Sequence, residues 1–370
     1  MVRVTTTDNK LKSIQKNSFK TNETLKVKTM RTKILKSVAV ITTTMALSSA
    51  VQAADYILRF SHFWPAVSPI HKEVFKGWAD RIESESDGRI NVEIYPSGTL
   101  SKPSAQYDAV INRIADVTAT VQGYTANRFP LTQIVELPGI VKTAEQGSCV
   151  IQSLYDEGLT SEEYKETHPV FMFTHGQGHL HTTEKEIRKP SDLEGLRIRR
   201  PTQVVASLLE ELGAAPVGMP APESYQSMQR GVIDGVALPW EGVYSFRINE
   251  LAKHHTEIGL YSLSFVVTMN KQVYNSLPED LQQVIDDNSG MELAKAAGKI
   301  FDKVDAMGRA DAVKAGHNII TLQNATENEA WKPVLNLTIE NYLQSLEDKG
   351  MPARKVYKRA VELSEQCQQS

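Results

Sequence analysis

Two successive runs of alternating strand and helix, with no linker between them, constrain this chain more than any other feature. Residues 56–63 alternate apolar and polar side chains, as a half-buried strand does. A loop through Trp64-Pro65 and a helix running through Trp78 to Glu85 follow. Asp87-Gly88 turns the chain into a second strand, 90–95, and a helix around 106–114 leads to a third, 117–121. The pattern restarts with strands at 170–174 and 196–199, a helix over 203–212, a segment at 215–217 and a helix from about Glu223 to Arg230. Gly231-Val-Ile-Asp-Gly235 then opens another strand. Residues 265–269 read as a strand returning to the first sheet. Pro278 starts a long helix through Asn288 to about Met307, before a strand at 318–322 and a helix over 326–348. Strands interleaved with helices predict α/β units built on sheets with crossover helices. Without a low-complexity linker the chain has to pass between the two units more than once, which predicts a two-lobed clamp with a hinge.

The N-terminus reads as an address. Residues 1–29 are polar and Lys/Thr/Asn-rich, expected to be a disordered extension or to lie upstream of a true start at Met30. Arg31, Lys33 and Lys36 then precede an apolar stretch that ends in Val51-Gln52-Ala53. That is the n-region, h-region and small-x-small site of a signal peptide over 30–53, cut between Ala53 and Ala54. The stretch is too short and too rich in Thr and Ser to span a bilayer. The first 53 residues hold ten of the 41 Lys and Arg but only two of the 44 Asp and Glu, so the remainder is near −11. So acidic a body does not suit nucleic acid, whose phosphates call for basic patches. Two cysteines exclude a disulfide scaffold. In an oxidising compartment Cys149 and Cys367 either form one bridge or remain separate thiols.

Nucleophile-elbow, phosphate-loop, dinucleotide-fingerprint, His-Glu-x-x-His and Cys-x-x-Cys motifs are all missing. One metal-like cluster remains, His175-Gly-Gln-Gly-His179-Leu-His181, in which His179 and His181 fall on one face of a strand. It supports a rival reading, a secreted metal-dependent hydrolase using His175, His179 and His181. Gln177 with Glu241 could offer oxygens to a hard cation. Arg197-Ile-Arg199-Arg200-Pro201 is more specific. A guanidinium fixed at a strand end grips a carboxylate through two parallel hydrogen bonds. Aromatic residues follow three strands, at Phe63-Trp64, Gln122-Gly123-Tyr124 and Trp240-Glu241, and ligands of open α/β sheets sit at strand carboxyl ends. Together these residues predict a small pocket that closes over an acid.

His62-Phe63-Trp64-Pro65, the 88–100 segment Gly-Arg-Ile-Asn-Val-Glu-Ile-Tyr-Pro-Ser-Gly-Thr-Leu, Glu136-Leu-Pro138, Leu193-Glu-Gly-Leu-Arg-Ile-Arg199, Gly231-Val-Ile-Asp-Gly235 and Leu277-Pro-Glu-Asp-Leu281 occur in an order that resembles the DctP-type solute-binding subunits of TRAP (tripartite ATP-independent periplasmic) transporters. The resemblance spans about residues 55–350. It implies two lobes, each a mixed sheet flanked by helices, joined by a hinge and a long lobe-spanning helix. The expected division is 54–173 plus 263–306 for the first lobe and 174–262 plus 307–370 for the second. It further implies a periplasmic monomer without enzymatic activity or cofactor, which delivers an organic acid anion to integral membrane permease subunits; a related role is feeding a sensor. By the same resemblance Arg199 pairs with the ligand carboxylate; Phe63, Trp64, Gln122, Tyr124, Gln177, Trp240 and Glu241 are expected as further ligand contacts from their own placement in the sequence. Sialic-acid-binding relatives carry an Asn four residues after the Asp that matches Asp234, where this chain has Leu238. That change turns the expectation toward a smaller or flatter acid: a C4-dicarboxylate, a 2-oxo or hydroxy acid, or an aromatic carboxylate stacked on Trp240.

Overall fold

The computed structural model describes residues 54–322 and 326–368; the signal peptide expected over 30–53 and the segment before it lie outside them. The first sheet holds five strands in the order β2-β1-β3-β10-β4: β1 Tyr56–His62, β2 Ile90–Tyr95, β3 Val117–Val121, β4 Thr167–Thr174 and β10 Ser264–Asn270. Strands β1, β2 and β3 run parallel, and β10 lies antiparallel between β3 and β4. The second sheet holds six, ordered β11-β9-β5-β8-β6-β7: β5 Gly178–Thr182, β6 Arg197–Arg200, β7 Ala215–Gly218, β8 Gly235–Leu238, β9 His254–Tyr261 and β11 Asn318–Thr321. Both sheets are mixed, as expected. Asp87 and Gly88 take the left-handed conformation that the predicted turn needs.

Helices α1 Lys76–Glu85, α2 Gln106–Ile111 and α3 Ala144–Asp156 accompany the first sheet. Those of the second are α4 Gln203–Glu211, α5 Ser224–Gln229 and the short α6 Trp240–Ser245. After β10 come α7 Lys271–Ser276, α8 Glu279–Asp287 and α9 Met291–Lys314. The single helix expected from Pro278 is thus two. Gly290, at φ +76°, breaks it and donates its N–H to the Val170 carbonyl of β4. Helix α3 had no sequence expectation, although Thr143 caps it through the Gln146 N–H, a Thr-x-x-Gln start signal.

The chain passes between the sheets at residues 175–177, at 262–263 and after α9. Ser262 Oγ donates to the His175 carbonyl at 2.7 Å and so ties the first two crossings together. Helix α9 touches both lobes through its backbone-facing residues. A Cβ on Gly298 would lie 2.6 Å from the Ala144 carbonyl of α3, and one on Gly308 would lie 2.3 Å from the Trp240 carbonyl of α6. Asp302 accepts the Ala144 and Glu145 N–H groups at 2.7 and 3.0 Å, and Asp305 accepts that of Glu241. Two carboxylates one turn apart therefore cap a helix in each lobe.

Of the C-terminal helices, α10 Lys332–Glu347 bonds to α4 of the second lobe, Thr338 and Asn341 donating to Glu211, while α11 Ala353–Gln366 departs from the expected division and lies with the first lobe. Residues Ala353, Val356, Ala360 and Leu363 bury against α3 and its surroundings in the first lobe. A Cys149–Cys367 disulfide, with Cα atoms 5.9 Å apart, joins α3 to the residue after α11.

Candidate ligand-binding site

Arg199 sits on β6 between Val217 of β7 and Val236 of β8, with its side chain fully buried. Its Nε donates to the Met219 carbonyl at 2.9 Å, Nη1 to the Ala237 carbonyl at 3.0 Å and Nη2 to Tyr124 Oη at 3.2 Å. A guanidinium has five N–H groups, so one remains on each terminal nitrogen. Among the described residues no carboxylate pairs with Arg199. Arg197, two residues earlier, is half exposed and forms a forked ion pair with Asp234. A buried cation is costly unless an anion compensates it. The structure neutralises the exposed arginine and leaves the buried one with a free fork.

That fork borders a cavity between the sheets lined by Phe63, Trp64, Tyr124, His175, Leu238, Glu241, Phe246 and Phe265, among others. Phe63 stacks on Trp64 with ring centroids 3.9 Å apart and faces Phe246 and Tyr124 at 6.4 and 5.8 Å. The walls are flat and apolar. Glu241 Oε1 accepts Trp64 Nε1–H at 3.2 Å and Ser245 Oγ–H at 2.6 Å, and burial pushes this carboxyl up to about 7. The space left is about 20 Å³, the room of one water molecule. An acid therefore enters only when the lobes part.

Among the described residues, the following side-chain contacts cross from lobe to lobe near this space. Tyr124 Oη meets Arg199 and the Ala221 N–H, Trp64 meets Glu241, and Ser68 Oγ lies 3.2 Å from Ser245 Oγ. Thr202 Oγ1 donates to Glu136 Oε2 at 2.9 Å.

Of the residues singled out in the sequence, Phe63, Trp64, Tyr124, Arg199 and Glu241 come together here; Gln122, Gln177 and Trp240 do not. Gln122 is buried and donates to Tyr164 Oη at 3.0 Å. Gln177 lines a different recess with His179 and Glu257. It lies apart from Glu241, so the two do not form a cation site. Trp240 follows β8 but its indole turns away, donating to Glu257 Oε1 at 2.9 Å and packing on His181 and His255 at 4.9 and 4.8 Å. An aromatic acid cannot stack on it. The reason is α6, which begins at Trp240 and sends the following residues, Glu241 and Phe246, to the cavity.

The histidine cluster does not converge either. His175 Nδ1 lies 2.6 Å from its neighbour Gly176's carbonyl. His179 Nδ1 accepts the Ile258 and Gly259 N–H groups, both at 3.2 Å. His181 bonds to His255 and to the Leu238 carbonyl. Among the described residues no three His, Cys, Asp or Glu side chains are placed to share a metal ion. His175, Phe246 and Phe265 are cavity residues that sequence reasoning did not assign to the ligand. Nothing in one sequence separates Phe265 from the other residues of a strand buried along its whole length.

The model of the bacterial extracellular solute-binding protein family 7, DctP, matches residues 60–345. The chain belongs to this family. A marine metagenome TRAP solute binding protein from an unidentified microbe, specific for aromatic acid ligands and solved with metahydroxyphenylacetate, is 35% identical. It superposes with a TM-score of 0.80, covering 84% of this chain and 99% of its own. A TRAP solute binding protein from Rhodoferax ferrireducens, solved with copurified benzoate, is 34% identical at a TM-score of 0.81, covering 85% and 98%. The C4-dicarboxylate-binding periplasmic protein DctP of Rhodobacter capsulatus is 26% identical over 79% of this chain and 87% of its own length. The family and the two-lobed fold expected from the sequence are both correct.

Proposed function

We propose that this DctP-type protein is a periplasmic clamp, not an enzyme, that captures an aromatic monocarboxylate and presents it to TRAP permease subunits. One observation carries the reading: Arg199 is buried, without a carboxylate partner, at the edge of an aromatic-walled space. A C4-dicarboxylate would need a second cation. Arg199 is the one cationic side chain in the lining, because burial holds His175 near a pKa of about 3 and hence neutral. Glu241 also lines the space; its carboxyl, raised to about 7, supplies no positive charge and in its ionised form would repel a second carboxylate. The 35% and 34% identical proteins bound to aromatic acids support the same class.

In this reading the lobes part by breaking the cross-lobe contacts, the acid meets the two free N–H groups of Arg199, and closure expels water. The charged contact strengthens as the local dielectric falls. Phe63, Phe246 and Phe265 sandwich the ring in offset or edge-on geometry. Closure restores Tyr124–Arg199 and Trp64–Glu241, and the closed surface is what a permease reads. The test is a thermal-shift screen of residues 54–370, unfolded and refolded to strip carried-over ligand, against benzoate, phenylacetate, succinate, malate and pyruvate. A ligand of the folded state raises its melting temperature by mass action. Benzoate or phenylacetate should shift it and succinate should not; a shift with succinate alone would overturn the assignment.

A further inference from the structure

His175 lines the same cavity as Arg199. Its Nδ1 lies 2.6 Å from the Gly176 carbonyl, which can only accept, so Nδ1 carries the ring proton. The other nitrogen, Nε2, then presents a lone pair. It is buried, the residue being 1% exposed, and has no hydrogen-bond partner. The ring lines the cavity and is fixed there. Tyr261 stands edge-on to it at 5.6 Å and Phe265 at 5.8 Å, while Ser262 holds its backbone carbonyl. Burial keeps the imidazole neutral, with the nearby Arg199 charge a smaller contribution, so Nε2 stays an acceptor throughout the physiological range. The hydroxyl of Tyr261 is also buried without a partner. An unsatisfied buried acceptor is expensive in the absence of a donor and rewards a ligand that supplies one.

We infer that His175 Nε2 accepts a hydrogen bond from a hydroxyl of the ligand, so that the clamp prefers hydroxylated aromatic acids to their unsubstituted parents. The inference rests on the proposed aromatic monocarboxylate function and narrows its substrate class. Arg199 takes the carboxylate, the phenylalanines take the ring and His175 reads a hydroxyl. A methoxy group of similar size has no O–H to donate. A pocket built to bond an O–H discriminates against analogues lacking it far more than an apolar pocket discriminates by size.

The experiment is isothermal titration of the refolded, ligand-stripped protein with benzoate, the three hydroxybenzoates, mandelate and the methoxybenzoate matching the best hydroxy acid. At least one hydroxy acid should bind about tenfold or more tighter than benzoate, and its methoxy analogue should lose that advantage. In His175→Phe the ratio of hydroxy acid to benzoate affinity should fall below about threefold, whatever happens to benzoate itself. The wild-type methoxy comparison decides the matter if that variant does not fold. Benzoate binding with no hydroxyl preference, or a preference that survives in His175→Phe, would overturn the role of His175 alone. Binding of none of these acids would overturn the aromatic-acid reading and this inference with it.

Discussion

Along α9 the two lobes are joined at backbone, whereas across the cleft they are joined mainly side chain to side chain, with one bond from a backbone N–H, that of Ala221 to Tyr124. At the first seam, glycines let the helix lie against the Ala144 and Trp240 carbonyls, and Asp302 and Asp305 hold the backbone N–H groups of α3 and α6. At the second, Thr202–Glu136, Trp64–Glu241, Tyr124–Arg199 and Ser68–Ser245 are single bonds around a space of about 20 Å³. A backbone seam can flex without letting go. A seam of isolated side-chain bonds, each worth about 1 kcal/mol net, can part and re-form. Hinge and mouth thus differ in what they are made of.

Acid should act on the hinge side most strongly. His175, His179, His181 and His255 lie on the crossing or on the neighbouring strands β5 and β9, and His62 lies in β1. Burial lowers His62, His175 and His255 to about 3 and His179 to about 4, and holds His181 well below the usual imidazole range. Unfolded, these rings bind protons near 6.5, so their stabilisation is complete above that pH and is lost as pH falls toward the folded values. Glu136 and Glu241, raised by burial to about 7, act oppositely and favour the folded state less as pH rises from 4.5 to 7. Asp302, Asp305 and Glu163 are raised by burial as well and act the same way, but the lowered histidines, which also include His71, His168 and His317, outnumber the raised carboxyls, so unfolding between pH 5 and 6 should take up protons on balance. Urea midpoints that stay flat or fall as pH rises through this window would contradict the balance.

Gly298→Ala should separate seam from surface. Its Cβ would meet backbone atoms of Ala144 and Glu145 at 2.5 to 2.7 Å, where nothing can yield, so a loss of about 3 kcal/mol is expected in denaturant unfolding. Gly77→Ala, in α1 with nothing near its Cβ, should instead gain up to about 1 kcal/mol. Equal effects at the two glycines would remove the distinction. At the mouth, Thr202→Val breaks the bond to Glu136 and should weaken acid binding by about fivefold by opening the clamp. A stability loss as large as that of Gly298→Ala would place Thr202 in the framework instead. The smallest effect belongs to Trp240→Phe. Its indole points to Glu257 and the histidines, so affinity by titration should stay within about twofold.

Much of this was legible because period and position carry it. Alternation marked the strands of the first sheet, and Phe63, Trp64, Tyr124 and Arg199 follow or end strands where ligands of α/β sheets gather. Trp240 obeyed the same rule and still misled, because whether an aromatic after a strand faces in or out depends on the turn that follows. The break at Gly290 and the return of α11 to the first lobe were missed for different reasons. A glycine inside a helical pattern is ambiguous, whereas the stripe Ala353, Val356, Ala360 and Leu363 shows a buried face but not its partner. The cavity roles of His175, Phe246 and Phe265 depend on contacts between distant segments, and no local pattern encodes them.

The most direct test of the clamp is a titration calorimetry comparison of wild type and Arg199→Gln with benzoate at equal pH and salt. Removing the buried cation should cost about 100-fold or more in affinity, because the carboxylate then enters a buried site with its charge unpaired. An Arg199→Gln protein that is folded and binds within twofold of wild type would show that the acid is held elsewhere.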